Sequence, residues 1–294
     1  MTRASGTSRF APWFFLLPFI AIFGVFTLVP LLDAIRLAFR QTYGPGFSKP
    51  VGLDNFIHLA SDPLFWTAAK NTVLFTAGSV FIQLPLSLLL AMVLNRPGIR
   101  GRAALRLVFF APSLVGVVFV AMIFLMLLEK RTGLINVALH ATIGLDLDFP
   151  WLETHIMPAL ILATLWQYVG FNMLYFLAAL QNVSQELVEA ATLDGAGPLG
   201  RFWNVTVPSI RPIATFVILL SIIGSFQLFE LPFVLLQGSG GPSNRGLTIV
   251  MYLYQTGFET GDLGYASAIG WTMGLALIGF AVAQRILARG EVHA

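Results

Sequence analysis

Residues 189–212 read Glu-Ala-Ala-Thr-Leu-Asp-Gly-Ala-Gly-Pro-Leu-Gly-Arg-Phe-Trp-Asn-Val-Thr-Val-Pro-Ser-Ile-Arg-Pro. This long polar segment, punctuated by Gly and Pro, separates two strongly apolar blocks, 156–185 and 212–229. The flanking blocks decide the fold. Neither contains a charge, and a helix that crosses bilayer hydrocarbon needs about 20 apolar residues at about 1.5 Å rise each. Four further uncharged stretches lie at 11–32, 71–95, 107–128 and 263–284. The 212–229 block meets Glu230 early, but apolar residues resume after it through Leu236.

Composition agrees. Apolar residues make up 57% of the chain and charged residues 11%, with a mean hydropathy of +0.81. Ordinary soluble domains carry about 25% charged residues, so a bilayer is the expected solvent. Backbone groups in lipid must be paired within the protein, which leaves helices or closed barrels. Continuous apolar runs without period-two alternation exclude a barrel. The expected fold is therefore an all-α membrane protein with six transmembrane helices. The 11–32 block is longer than a signal-peptide core and ends in Val29-Pro30-Leu31-Leu32-Asp33 without a small-residue cleavage pattern, so it reads as a retained anchor.

Arg and Lys in the short loops set orientation. With both termini cytoplasmic, the inside segments hold ten of these residues and the outside segments seven. The strongest single witness is 95–106, with Arg96, Arg100, Arg102 and Arg106 and no acid. This orientation places 189–212 in the cytoplasm. The expected domain layout is a cytoplasmic N-terminal segment 1–10, a six-helix transmembrane domain 11–288 with a cytoplasmic loop at 184–211, and a cytoplasmic tail 289–294. The net charge of +3 is too small to indicate nucleic-acid binding. There is no cysteine, and the four histidines lack ligand spacing, so no metal site is expected.

Local signals fill in the loops. Tyr43-Gly44-Pro45-Gly46 is a turn cluster, and Gly52-Leu53-Asp54-Asn55-Phe56 opens a short helix. The 129–155 loop is expected to carry a short interfacial helix, with Trp151 at the membrane boundary. Residues 237–242 form an irregular turn. Pro85 is expected to kink the second span, Glu230 to sit hydrated at the end of the fifth, and Gly270 and Gly274 to support close helix packing. In the 184–211 loop, Ser184 can cap a helix of about three turns, which Gly195 and Gly197-Pro198 stop. A second short helix follows from about Leu199.

Polar groups inside spans are candidates for a solute path, because they must face protein or water. Thr164, Tyr168, Phe171 and Tyr175 recur on one face of the fourth span, flanked by Gln167 and Asn172. Ser221, Gly224 and Ser225 make a similar stripe in the fifth, with Gln227 nearby. Together they offer hydroxyl and amide groups beside aromatic rings. The competing use of such groups is helix-to-helix hydrogen bonding, worth about 0.6 kcal/mol on average in membranes.

Glu189-Ala190-Ala191, Asp194-Gly195-Ala196 and Val205-Thr206-Val207-Pro208 with Pro212 resemble the cytoplasmic signature loop of permease subunits of bacterial binding-protein-dependent ABC importers, most of all the carbohydrate-uptake group of the maltose and glycerol-phosphate type. Weaker pieces occur in the same order: Leu17-Pro18 to Pro30, Asn71-Thr72-Val73, Ala111-Pro112-Ser113, Gly133-Leu134-Ile135-Asn136, Leu177 to Gln181, Gly240-Gly241-Pro242 and Gly264 to Ala268. Val207 departs from the family's usual Leu, and Ser239 loosens the spacing before Gly240-Gly241-Pro242. The resemblance implies a type I ABC importer permease fold in a bacterial inner membrane. It implies a heterodimeric second permease subunit, a cytoplasmic ATPase dimer that binds ATP and Mg, and an extracytoplasmic solute-binding protein. This chain itself carries no Gly-x4-Gly-Lys-Ser/Thr phosphate loop, so neither enzyme activity nor a bound cofactor is expected of it. The resemblance also assigns Glu189, Ala190, Ala191, Asp194 and Gly195 to coupling with the ATPase. It points to the fourth and fifth spans as the solute path for a sugar or sugar-like solute. A polyol or glycerol phosphate carried by the same machinery is the alternative.

Overall fold

The computed structural model describes residues 11–290; the expected terminal segments 1–10 and 291–294 lie outside the described residues. Five helices are long and apolar enough to cross a membrane: Trp13–Ala38, Pro63–Asn95, Ile156–Gln181, Pro198–Leu235 and Leu263–Ile286. The third expected span, over 107–128, is a broken one, which was not foreseen from the sequence. It consists of Arg102–Leu114 and Val117–Leu127, bent by 98°, and the count among the described residues reaches six when that pair is taken as one span. Pro112 opens a tight 3-10 turn over Ala111–Leu114, and Val115 and Gly116 are extended. A proline cannot donate to the helical ladder and crowds the carbonyl four residues back, so the helix breaks there.

Three other prolines act more gently. Pro30, Pro85 and Pro208 each stand two residues beyond a π-helical turn, at Gly24–Leu28, Ser79–Gln83 and Phe202–Thr206. The N–H of the residue before each proline reaches five residues back: Val29 to Gly24, Leu84 to Ser79 and Val207 to Phe202. The wider turn makes room for the ring without ending the helix. The expected kink at Pro85 thus takes the form of a π-turn one helical turn earlier.

The described residues fall into two compact units, 11–62 with 253–279, and 63–252 with 280–290. In the first, the opening helix leads into a hairpin, Arg40–Tyr43 paired antiparallel with Phe47–Pro50 around a turn at Gly44–Gly46. The turn was legible in the sequence. The two strands were not legible, because at four residues each they are too short to show an alternating pattern. The expected short helix is Asp54–Ser61. Asn55 ties it back by donating to the Ala38 and Arg40 carbonyls, each at 2.9 Å. Thr42 Oγ1 accepts the Gly264 N–H at 2.9 Å, and the Tyr265 hydroxyl donates to the buried Asp62 at 2.6 Å. Gly270 packs close to Leu253, as expected, whereas Gly274 faces open space.

The second unit has two buried clusters. One gathers Phe75, Val120, Phe124, Leu128, Ile156, Leu160, Leu231 and Leu235. The other gathers Leu84, Leu94, Met173, Phe176, Ile210 and Val217. Phe81 and Met126 are more than three-quarters exposed, a placement that water would penalise and lipid would not.

In the 129–155 loop the short helix is Leu134–Ile143, followed by a single turn, Trp151–Thr154. Asn136 is fully buried and organises the loop. Its amide nitrogen lies 3.0–3.2 Å from the Lys130, Leu147 and Phe149 carbonyls, and its oxygen accepts the Trp151 indole N–H at 2.6 Å. The indole N–H of Trp151 is therefore used inside the loop. Glu129 closes the loop's start. Hydrogen bonds from the backbone and hydroxyl of Thr132 and from the Arg131 backbone hold its carboxyl down to about pKa 2. Replacing Asn136 by alanine should cost about 2 kcal/mol, because it strands carbonyls and an indole N–H. A lowered thermal midpoint of the solubilised protein would show this; an unchanged midpoint would remove Asn136 from that role.

Candidate functional site

A cavity of about 280 Å³ opens within the second unit. Of the sequence-derived candidates, Thr164, Tyr168, Phe171, Asn172, Ser221, Ser225 and Gln227 line it together. Tyr175 does not. It sits one turn further along, its ring edge-on to Phe171 at 5.3 Å and to Phe216 at 6.1 Å between centroids. The helical spacing placed Tyr175 on the correct face but could not show where the cavity ends.

Not all these polar groups are free for a ligand. The Thr164 hydroxyl donates to the Leu160 carbonyl of its own helix at 2.9 Å. Ser221 is 2.9 Å from Ser79, oxygen to oxygen, so it joins two helices. Gln167, 1% exposed, donates to the Val115 carbonyl at 3.1 Å, an acceptor freed by the break in the third span. Its Oε1 is buried without a partner. The side chains of Asn172, Ser225 and Gln227 make no hydrogen bond among the described residues, and all three line the cavity. They retain donors and acceptors for whatever enters.

Reading the fourth and fifth spans missed a wall from the second. Phe75, Ser79 and Gln83 line the cavity from there. They stand four residues apart, hence on one helical face. The signal was present as Ser79 and Gln83 interrupting an apolar run, but the π-turn at Ser79–Gln83 that sets their facing was not. Glu230 is exposed beyond the end of the long helix, in line with the expectation. The fifth span's helix stops at Phe226 and restarts at Glu230, and Glu230 also lines the cavity, which the sequence did not show.

The second feature is the connector. Its helix is Gln185–Leu193, nine residues, shorter than the three turns expected. Ser184 occupies the capping position, but its side chain makes no capping bond. The exit is a Schellman motif: Ala196 N–H reaches the Ala191 carbonyl at 2.9 Å and Gly195 N–H the Thr192 carbonyl at 3.1 Å. Gly195 has φ of +80°, a conformation in which a side chain would be strained. The next helix begins at Pro198 and, through the Phe202–Thr206 π-turn, continues into the fifth span. It is therefore the base of that span, and not the separate short element expected from Leu199. Arg201 fastens the two helices by donating to Thr192 Oγ1 at 3.0 Å.

Glu189, Ala190, Asp194 and Gly195 are exposed and Ala191 is half-buried. Neither Glu189 nor Asp194 has an ion-pair partner among the described residues. Leu193 is 89% exposed and Leu199 71%. Their exposure was not expected from the sequence, where an apolar side chain in an otherwise polar connector was the available signal. Large apolar groups held out on an ordered turn are characteristic of interaction surfaces.

A family model described as "Binding-protein-dependent transport system inner membrane component" matches residues 83–291. The chain is 37% identical over 270 residues to the arabinooligosaccharides transport system permease protein AraP of Bacillus subtilis, covering 90% of this chain and 84% of that one. It is 32% identical to the lactose transport system permease protein LacF of Rhizobium radiobacter, covering 94% and 93%. A solved structure of a bacterial ABC transporter involved in the import of the acidic polysaccharide alginate contains a similar chain. That match has a TM-score of 0.81 and 25% identity, covering 95% of this chain and 94% of that one.

Proposed function

This chain belongs to the family of binding-protein-dependent transport system inner membrane components, and from that membership we propose that it is the translocation subunit of an ATP-driven importer for a sugar or sugar-like solute. The similarity to permeases named for arabinooligosaccharides and lactose supports a carbohydrate. The observation that carries the reading is the cavity, in which Tyr168 and Phe171 stand beside the amides and hydroxyls of Asn172, Ser225 and Gln227. Its volume is near the lower end of ligand pockets, roughly 300 Å³, room for about one sugar ring from this subunit's side.

The working assembly pairs this chain with a second permease subunit, an ATPase dimer that binds ATP and Mg, and an extracytoplasmic solute-binding protein. Both termini and the 184–211 connector face the cytoplasm. There Glu189, Ala190, Ala191, Asp194 and Gly195, with Leu193 beside them, seat in the ATPase. Closure of the ATPase pushes the connector, and because Pro198 begins a helix continuous with the fifth span, the push reaches a cavity wall without an intervening loop. The π-turn at Phe202–Thr206 is the compliant point on that path. An acidic saccharide is the second reading, supported by the similarity to a chain of the alginate importer; a phosphate ester is supported by the 32% identity to the sn-glycerol-3-phosphate transport system permease protein UgpA of Yersinia pestis.

The test is to reconstitute the assembled transporter in liposomes and find which solute stimulates its ATPase. A carbohydrate is the expected answer; stimulation by an amino acid or a metal ion alone would refute the reading. Within that assay, Tyr168→Ala should raise the half-saturating solute concentration about tenfold, the effect of losing roughly 1.4 kcal/mol of ring contact. Unaltered kinetics would remove Tyr168 from the path.

A further inference from the structure

We propose that Glu230 sets the charge class of the solute: its carboxylate accepts hydrogen bonds from a neutral carbohydrate and turns away sugar acids and phosphates. The proposal rests on the reading above that the cavity is the solute's path. Glu230 is the sole charged side chain among the residues lining the cavity, and no Lys, Arg or His accompanies it. An anion needs donors, most effectively a guanidinium or ammonium. This wall instead offers carboxamides and hydroxyls, each able both to donate and to accept, as a sugar hydroxyl is.

Three observations give the wall its preference. Gln167 Oε1 is buried with no partner among the described residues, so this side chain adds an unsatisfied acceptor to the wall and no cation. Gln83, 4% exposed, makes no side-chain hydrogen bond among the described residues and lines the cavity. Glu230 itself is exposed within this setting and has no ion-pair partner among the described residues, so its charge is not neutralised locally. Like charges brought close together in a cavity partly walled by protein repel more strongly than in open water. The helix break at Gln227 to Phe229 is what turns this carboxylate toward the solute.

Saturation-transfer NMR suits weak binding and needs no solute-binding protein, whose own selectivity would mask the permease. The complete permease and ATPase complex in nanodiscs is titrated with neutral disaccharides (arabinobiose, galactobiose, lactose and maltose), each paired with the same sugar carrying a carboxylate. The wild-type complex should bind its best neutral disaccharide at least tenfold more tightly than the matched acid. Glu230→Gln should shrink that preference below threefold, and Glu230→Asp should keep it. Glu230→Ser, read in the same way, is the second neutral variant, and each complex is checked for intact assembly by gel filtration. A wild-type complex that binds acid and neutral sugar alike overturns the proposal, as does a full tenfold preference retained in either neutral variant. A wild-type complex that binds none of the sugars overturns the solute-path reading and this proposal with it.

Discussion

Glu189→Lys should reduce solute uptake at least thirtyfold while leaving the protein inserted and its amount in the membrane unchanged. Glu189 is exposed and has no ion-pair partner among the described residues, so the chain's own stability does not depend on it. Surface substitutions away from special features usually fall within about 0.5 kcal/mol. At a protein interface the same reversal places like charges together, at a cost of about 2–5 kcal/mol. Each 1.4 kcal/mol is about a factor of ten, so coupling should be largely lost. The informative measurement pairs transport in vesicles with recovery of the ATPase alongside the purified permease. Uptake at the normal rate, with the ATPase still bound, would end the docking role assigned to this helix. Loss of insertion would mean that Glu189 serves the fold instead.

Gly170→Val should destabilise the permease by about 3 kcal/mol or more. A Cβ at Gly170 would collide with the backbone carbonyl of Phe109, immediately before the break in the third span. Overpacking usually costs about 1–3 kcal/mol, but here the obstacle is main chain, which cannot rotate away as a side chain would. The consequence reaches the cavity. Gln167 stands one turn before Gly170 on the same helix and bonds the Val115 carbonyl across that contact. Displacing the two segments should therefore break the bond and reshape the wall. Expression and thermal midpoint in detergent read the effect, and Gly170→Ala should fall between wild type and valine. A valine variant as stable as wild type would show that the fourth span and the broken segment do not touch as described.

The apolar blocks, the polar connector and the Gly stop at Gly195 could be read directly, since each rests on local chemistry: an uncharged run long enough for a bilayer, or a residue that takes left-handed angles without strain. Most of the cavity was legible for the same reason, because Thr164, Tyr168 and Phe171 share one helical face whatever surrounds them. The remainder depended on neighbours distant in sequence. The third span breaks at Pro112 with Gly170 accepting its exposed backbone, a match between residues about 60 apart. Tyr175 shares the face of Tyr168 but lies beyond the cavity, and Glu230 enters it only because the fifth helix is interrupted before it. Local sequence thus determined which segments are helical and which side chains share a face; only tertiary packing decided where helices bend, which faces enclose space and which charge looks into it, because those outcomes depend on the volume and hydrogen-bonding needs of facing elements.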